Sequence, residues 1–278
     1  MSWVDPPLLA VRDVVARALA EDLGVLGDLT ATLVPADATA AAAFVAREDG
    51  VLAGRLCVFE TFDAVDSAVK VDWRILDGVD VRPGEVCGVV EGSLASILTA
   101  ERTALNLLSR LSGIATLTRH YVRAAQGNAR IRDTRKTTPG LRALEKAAVR
   151  AGGGANHRGS LSDGILVKDN HLAGLSIPDA VTRARRRWPG QLVEVECDTF
   201  EQVRDAVDAG ADMVLLDNMT PDQVTACVVL VDGRCPVEVS GGVTLDLVPD
   251  YAATGADFIS VGAITHSAPV LDIGLDIH

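Results

Sequence analysis

Hydrophobic and polar positions fall into two regimes along this chain. In the first regime, strands and helices do not alternate regularly. Leu8, Val11, Val15, Ala18 and Leu19 recur at helical spacing behind Pro6-Pro7, which predicts a helix over 8–23 ended by Gly24. Gly27-Asp28-Leu29-Thr30 reads as a turn leading into 32–34, with Asp28 serving as an Asx-turn or a cap. Residues 43–47, 50–56, 69–76 and 85–91 are strand-like, and 59–67 are helix-like. Asp77-Gly78 and Pro83-Gly84 mark turns. Residues 98–125 read as helical, with Leu105, Leu108 and Leu111 forming an apolar stripe and a break at Ser112-Gly113.

From residue 129 the second regime begins. Short β-branched runs recur at 129–132, 164–167, 192–197, 213–216, 237–239 and 258–261, each followed by helical sequence. Repeated βα units imply a parallel sheet, and such a sheet closed on itself is a barrel. The runs are fewer than the eight strands of a full barrel.

Every run ends in polar residues or glycine. The ends are Asp133 to Lys136, Lys168 to His171, Glu196, Asp217-Asn218, Ser240-Gly241-Gly242, and Gly262 with His266. Chemistry in α/β barrels sits at the carboxyl ends of the strands. Ordinary loop polarity explains polar residues there. It does not explain lysines and carboxylates directly at the last strand position. In Val193-Glu194-Val195-Glu196-Cys197 the two glutamates share one face and the two valines the other. With the valines under the outer helices, both glutamates point into the barrel, where Lys136 and Lys168 are natural partners. A purely structural ion-pair network is the alternative reading. The glycines of Ser240-Gly241-Gly242 and Val261-Gly262-Ala263 let the backbone approach phosphate oxygens closely.

Charge sharpens this picture. The formal net charge is −12, yet Arg135, Lys136, Arg150, His157, Arg158, Lys168 and His171 gather in one stretch. A basic cluster inside an acidic protein suits a small, highly anionic ligand. A nucleic-acid surface would spread its charge over a face, so no nucleic acid is expected. Hydrophobic residues at 48% support a large core. No apolar run reaches the ~18 residues a bilayer span requires, so no membrane association is expected. The start, MSWVDPPLLAV, lacks a basic and then apolar leader pattern. Cys57, Cys87, Cys197, Cys227 and Cys235 are odd in number and show no CxxC spacing, which fits buried free thiols in a reducing cytoplasm.

The ordered motifs DTRKT, PGLR, LEK, GGG and NHR, then KDNH, EVE, LLDN, SGG and SVGA with a following TH, are found here from Asp133 to His266. Together they resemble the quinolinate phosphoribosyltransferase family, and the likeness covers nearly the whole chain. It implies a partial, six- to seven-stranded α/β barrel over 113–278, which accounts for the missing strands. It also implies an N-terminal α+β sandwich domain over 1–112, with a tail from about 268 able to pack back on it. The implied reaction joins quinolinate and phosphoribosyl pyrophosphate to give nicotinate mononucleotide, pyrophosphate and carbon dioxide, in de novo NAD biosynthesis. Mg²⁺ and no organic cofactor are implied, as is a homodimer or dimer-based oligomer with shared sites.

The resemblance also distributes roles. Arg102, Thr134, Arg135, His157, Arg158 and Lys168 would hold quinolinate, with Arg102 reaching into the neighbouring subunit's site. From the residues alone, an arginine at 102 reads as a solvated helix face. Lys136, Glu196, Asp217, Ser240, Gly241, Gly242, Val261, Gly262, Ala263 and His266 would hold phosphoribosyl pyrophosphate. Lys136, Lys168, Glu196 and Asp217 would be catalytic, and Glu196 and Asp217 would face Mg²⁺, directly or through water. The chain departs from the family at Gly159-Ser160, where a bulky apolar residue before a small one is usual, and at Val239, where alanine is usual.

Other functions stay open at this level. A Schiff-base lyase would use Lys136 or Lys168 as nucleophile. A regulatory metabolite-binding module would bind without turnover. A relative acting on another pyridine carboxylate would share every motif.

Overall fold

The computed structural model describes residues 5–172 and 174–277. In chain order the first elements are α1 (Leu8–Leu23), a 3-10 turn (Ala31–Leu33), β1 (Thr39–Ala46), β2 (Gly50–Val51) and α2 (Arg55–Val65). They continue with β3 (Lys70–Trp73), β4 (Asp80–Val81), β5 (Val86–Ser93) and the long α3 (Leu94–Ala124). Then follow β6 (Arg130–Arg132), α4 (Arg142–Ala151), β7 (Ile165–Val167), α5 (Asp169–Leu172) and α6 (Ile177–Arg187). The chain closes with β8 (Val193–Cys197), α7 (Phe200–Asp208), β9 (Met213–Asp217), α8 (Pro221–Val231), β10 (Val237–Ser240), α9 (Val248–Ala252), β11 (Phe258–Ser260), α10 (Ala263–His266) and β12 (Ile273–Ile277).

Two compact units form, and neither is one continuous stretch. Among the described residues, the first takes 5–119, 137–153 and 264–277; the second takes 120–136, 154–172 and 174–263. Helix α4 and the C-terminal segment are grouped with the first unit.

The first unit is built on an antiparallel sheet of order β12-β1-β5-β3. Phe44 stacks on Trp73 at 5.2 Å and meets Phe62 edge-on at 6.2 Å, which anchors a core with Leu52, Ile97 and Leu108. Helix α1 has the bounds its apolar spacing indicates, with Gly24 at φ +54 after its last turn. Asp28 is a cap: its carboxylate accepts from the amides of Thr30 and Ala31 and from Thr99.

Two sequence expectations fail here. Residues 50–56 are not one strand; pairing ends at Val51 and α2 begins at Arg55. Gly54 turns the chain at φ +108, and the first α2 amides are taken by Asp77, at 3.1 Å for Gly54 and 3.4 Å for Arg55. Helix α3 does not break at Ser112-Gly113. Ser112 instead bonds both backbone polar groups of Ala53, and a Cβ at Gly113 would lie 1.9 Å from the Pro269 carbonyl oxygen. Both residues are small because the backbone of other segments passes there.

The second unit is a six-stranded parallel sheet of order β6-β11-β10-β9-β8-β7. Its end strands are not paired with each other among the described residues, so the barrel is partial; Arg132 makes one isolated parallel bridge to Ala155 on the free edge of β6. The helices between the strands start at local signals. Thr199 with Gln202, and Thr220 with Gln223, form reciprocal capping boxes for α7 and α8. Val193 and Val195 are buried under α6 and α7, which turns Glu194 and Glu196 to the opposite face of β8.

Candidate active site

The inner face of this sheet is polar in layers. Glu196, Asp217 and Ser240 stand at the carboxyl ends of β8, β9 and β10. Two residues earlier on the same strands, and on the same face, are Glu194, Leu215 and Glu238, while Ser260 ends β11 in step with Ser240. Barrel interiors are ordinarily filled by branched apolar side chains. Here the lower layer carries two carboxylates, and each is paired. Glu238 accepts from Arg132 and Ser260. Glu194 meets His157 Nε2 at 2.9 Å, and Glu238 lies 3.7 Å from the same nitrogen. Asp133, fully buried, accepts from the His157 amide at 2.8 Å and from Asn156 at 2.6 Å, fixing the loop that delivers His157 and Arg158.

Burial first, and then Glu194, push the Glu238 carboxyl above its ordinary range; Arg132, His157 and Ser260 pull the other way. His157, Glu194 and Glu238 also cluster closely enough to hold a metal ion. The guanidinium of Arg132 on Glu238 already supplies a cation to this cluster.

Above this layer lies a cavity of about 370 Å³. Thr134, Arg135, Lys136, His157, Arg158 and Lys168 line one side of it. Glu196, Asp217, Ser240, Glu238 and Ser260 line the other, with Leu166 and Leu215 between. Lys168 donates to Glu196 across adjacent strand ends. The Lys168 amide also donates to His171 Nδ1 at 3.0 Å. Arg135 Nε and Arg158 Nε are buried and have no hydrogen-bond partner among the described residues. Burial, and then the neighbouring Arg135, lower the Arg158 pKa from its ordinary value; Glu194 and Asp163 oppose that. Two guanidiniums that destabilise each other beside an open cavity make a site for an anion with planar oxygens.

The family model described as "Quinolinate phosphoribosyl transferase, C-terminal domain" matches residues 114–276, and its N-terminal counterpart matches 28–112. The chain belongs to the quinolinate phosphoribosyltransferase family. It is 44% identical over 273 residues to the probable nicotinate-nucleotide pyrophosphorylase (carboxylating) of Bacillus subtilis, covering 97% of this chain and 94% of that one. It is 44% identical over 277 residues to the corresponding protein of Mycobacterium leprae, covering 96% and 97% of the two chains. The solved nicotinate-nucleotide pyrophosphorylase of Francisella tularensis superposes with a TM-score of 0.94 at 37% identity, covering 99% of this chain and 98% of that one.

Among the residues that the family likeness marks, the cavity gathers Thr134, Arg135, Lys136, His157, Arg158, Lys168, Glu196, Asp217 and Ser240. It does not gather Gly241, Gly242, Val261, Gly262 or Ala263, which follow the strand ends, nor Arg102 and His266, which belong to the first unit. Arg102 is exposed on α3, 4.0 Å from Glu101. His266 is exposed at the end of α10 and bonds Ser267 at 2.6 Å. Gly241 has a structural reason of its own: at φ +94, a Cβ would lie 2.3 Å from Asn218 Oδ1. Gly242, at φ +61, faces open space. The Gly159-Ser160 departure is a tight turn: Asp163 accepts from the Gly159 and Ser160 amides at 2.7 and 3.2 Å.

Glu194 pairs with His157 rather than with a lysine, which corrects the partner expected from the sequence. Glu238 and Ser260 are lining residues that sequence reasoning missed. The signal for Glu238 was present: Val237-Glu238-Val239 repeats the alternation of Val193-Glu194-Val195. Arg132, which holds Glu238, gave no comparable signal.

Proposed function

We propose that this protein transfers the phosphoribosyl group of phosphoribosyl pyrophosphate to quinolinate, with decarboxylation to nicotinate mononucleotide. The observation that carries the reading is one cavity lined by Arg135, Lys136, Arg158 and Lys168 on one side and by Glu196 and Asp217 on the other. Two adjacent carboxylates on a flat ring suit two guanidinium forks, with His157 and Lys168 completing the pocket. Thr134 adds a hydroxyl at the same edge. Lys136 faces the leaving pyrophosphate. Glu196 and Asp217 face the ribose hydroxyls. Ser240, Gly241 and Gly242, with Val261, Gly262 and Ala263, hold the 5′-phosphate.

The pyridine nitrogen forms a bond to ribose C1 as the bond from C1 to pyrophosphate oxygen breaks. Charge develops on the ribose ring and on the departing oxygens, between Glu196 and Asp217 on one side and the lysines on the other. Fixed charges that need not reorganise lower such a barrier. The positive nitrogen then stabilises the electron pair left on the adjacent ring carbon when its carboxylate departs as carbon dioxide, and that carbon takes up a proton. Glu196 and Asp217 are a fitting site for Mg²⁺, which takes one or two carboxylates and fills its shell with phosphate and water. When bound it would neutralise the departing pyrophosphate. The five cysteines are all free and buried, which supports a reducing, cytoplasmic setting. Exposed Arg102 supports a homodimer in which it completes the partner's pocket.

A Schiff-base lyase is less well supported, because the Lys168 side chain is held against Glu196. The deciding assay follows carbon dioxide release and mononucleotide formation with quinolinate, nicotinate and other pyridine dicarboxylates, each with phosphoribosyl pyrophosphate and Mg²⁺. Turnover should be confined to, or greatest with, quinolinate. Equal rates with nicotinate would overturn the substrate assignment.

A further inference from the structure

Glu194 projects from β8 to the inner face of the parallel sheet and is only 8% exposed. Barrel interiors favour apolar side chains at such positions, as buried Leu215 shows on β9. The Glu194 side chain makes one hydrogen bond among the described residues, through Oε2 to His157, and Oε1 has no partner. A buried carboxylate with so few partners costs free energy. The reason for keeping one here lies in what it touches. His157 lines the cavity between the arginines and the strand-end carboxylates, the front cavity, and Glu194 does not. The backbone of His157 is set by Asp133, which accepts from its amide at 2.8 Å and from Asn156 at 2.6 Å. Arg158, next in the chain, is tied to the Gly164 carbonyl at 3.1 Å. These contacts leave the rotation of the His157 ring to be fixed, and two carboxylates face its Nε2. Glu238 Oε1 lies 3.7 Å away, beyond hydrogen-bond reach, and the Glu238 oxygens are engaged by Arg132 and Ser260. Glu194 Oε2, at 2.9 Å, is within reach. Which ring nitrogen carries the hydrogen is set by contacts of this kind.

We propose that Glu194 is a positioning residue for the carboxylate substrate: by accepting from the His157 Nε2–H it fixes the orientation and the tautomer of that ring beside Arg158, without touching the substrate itself. Arg132 belongs to the same device. By engaging Glu238 it keeps a second carboxylate from competing for the same nitrogen. That the fixed ring serves quinolinate rests on the proposed function; the pairing of Glu194 with His157 does not.

The test compares Glu194→Gln, which keeps an acceptor in the same place, with Glu194→Met, which keeps the length and removes the acceptor. In Glu194→Met the quinolinate KM should rise about tenfold, the lower end of what one charge-assisted hydrogen bond contributes. The KM for phosphoribosyl pyrophosphate and kcat should stay within about twofold, because only uniform binding of one substrate is lost. Glu194→Gln should recover most of the quinolinate KM. A merely structural role predicts that both KM values rise together while kcat falls, and that result would overturn the proposal. So would a Glu194→Met protein with the parent's quinolinate KM, or a Glu194→Gln protein as impaired as Glu194→Met. A second readout needs no turnover. Nitrogen–proton correlation spectra of the histidine rings, with His157 assigned by its loss in His157→Asn, report the tautomer directly. The hydrogen should sit on Nε2 in the parent and in Glu194→Gln, and be shared between both nitrogens in Glu194→Met. A parent ring protonated on Nδ1 alone, or one spectrum for all three proteins, would overturn the positioning role even where turnover is normal. Should the protein fail to turn over quinolinate at all, these spectra still decide the pairing, and the failure falls on the substrate assignment alone.

Discussion

Lys168 and Glu196 stand at the ends of neighbouring parallel strands, and the lysine ammonium donates directly to the carboxylate. Each therefore sets the other's position at the mouth of the front cavity. Lys168→Ala and Glu196→Ala should each lower kcat/KM by about 10- to 150-fold, the loss of one charge-assisted contact. The double variant should lose less than the product of the two, with a coupling of about 0.5–3 kcal/mol. Strict additivity in a double-mutant cycle would show that the pair does not act as a unit.

Arg158→Lys keeps the charge and removes the planar fork. It should raise the quinolinate KM far more than that of phosphoribosyl pyrophosphate, since only a fork grips a carboxylate through two parallel bonds. Lys136→Ala should do the reverse and lower turnover as well. Initial rates with each substrate varied in turn separate the two cases; equal effects on both substrates would end this division of labour.

Gly241→Ala should destabilise the protein through its backbone. The position sits at φ +94, and the new Cβ would press on Asn218 Oδ1. A loss of about 1–3 kcal/mol is expected for such strain. Asn218→Gly in the same chain should recover part of it, because it removes the opposing side chain. Urea unfolding of the single and double variants measures both; no recovery would place the cost elsewhere than in the Asn218 contact.

Glu238 gives the protein a defined pH response. Its folded carboxyl is held above the unfolded value of about 4.3, so the folded state binds that proton more tightly. Its contribution to stability is thus fully present below the unfolded value and is lost as pH rises through the folded one. Compared with Glu238→Gln, the parent should lose stability as pH climbs from about 4.3. A constant difference between the two proteins across that range, in denaturant melts at stepped pH, would remove Glu238 from the account.

Mixing Arg102→Ala protein with Lys168→Ala protein should restore part of the activity that each lacks alone. Hybrid dimers would then hold one intact site. An active monomer at assay concentration, by ultracentrifugation, would sink the shared-site arrangement.

The repeating βα pattern and its polar strand ends were legible because both are local. Alternation in β8 told which face Glu194 and Glu196 share, and the same test on β10 yields Glu238. What the sequence hid is non-local. The start of α2 is satisfied by Asp77, which no window around Arg55 contains. Ser112-Gly113 looks like a helix breaker until Ala53 and Pro269 are seen against it. The guanidinium that neutralises Glu238 comes from Arg132, on a strand separated from β10 by β11.

The last strand has a consequence for how the protein is made. β12 pairs antiparallel with β1, Ala46 opposite Ile273 and Ala42 opposite Ile277. Strand β1 leaves the ribosome before the whole parallel sheet, and its partner β12 follows that sheet. Until β12 is made, the outer edge of Thr39–Ala46 is an open row of backbone donors and acceptors, of the kind that recruits strands from other chains. That edge closes only after every strand of the active-site sheet has been made. A chain truncated by even these few residues would keep the whole active-site sheet and still leave a sticky seam exposed.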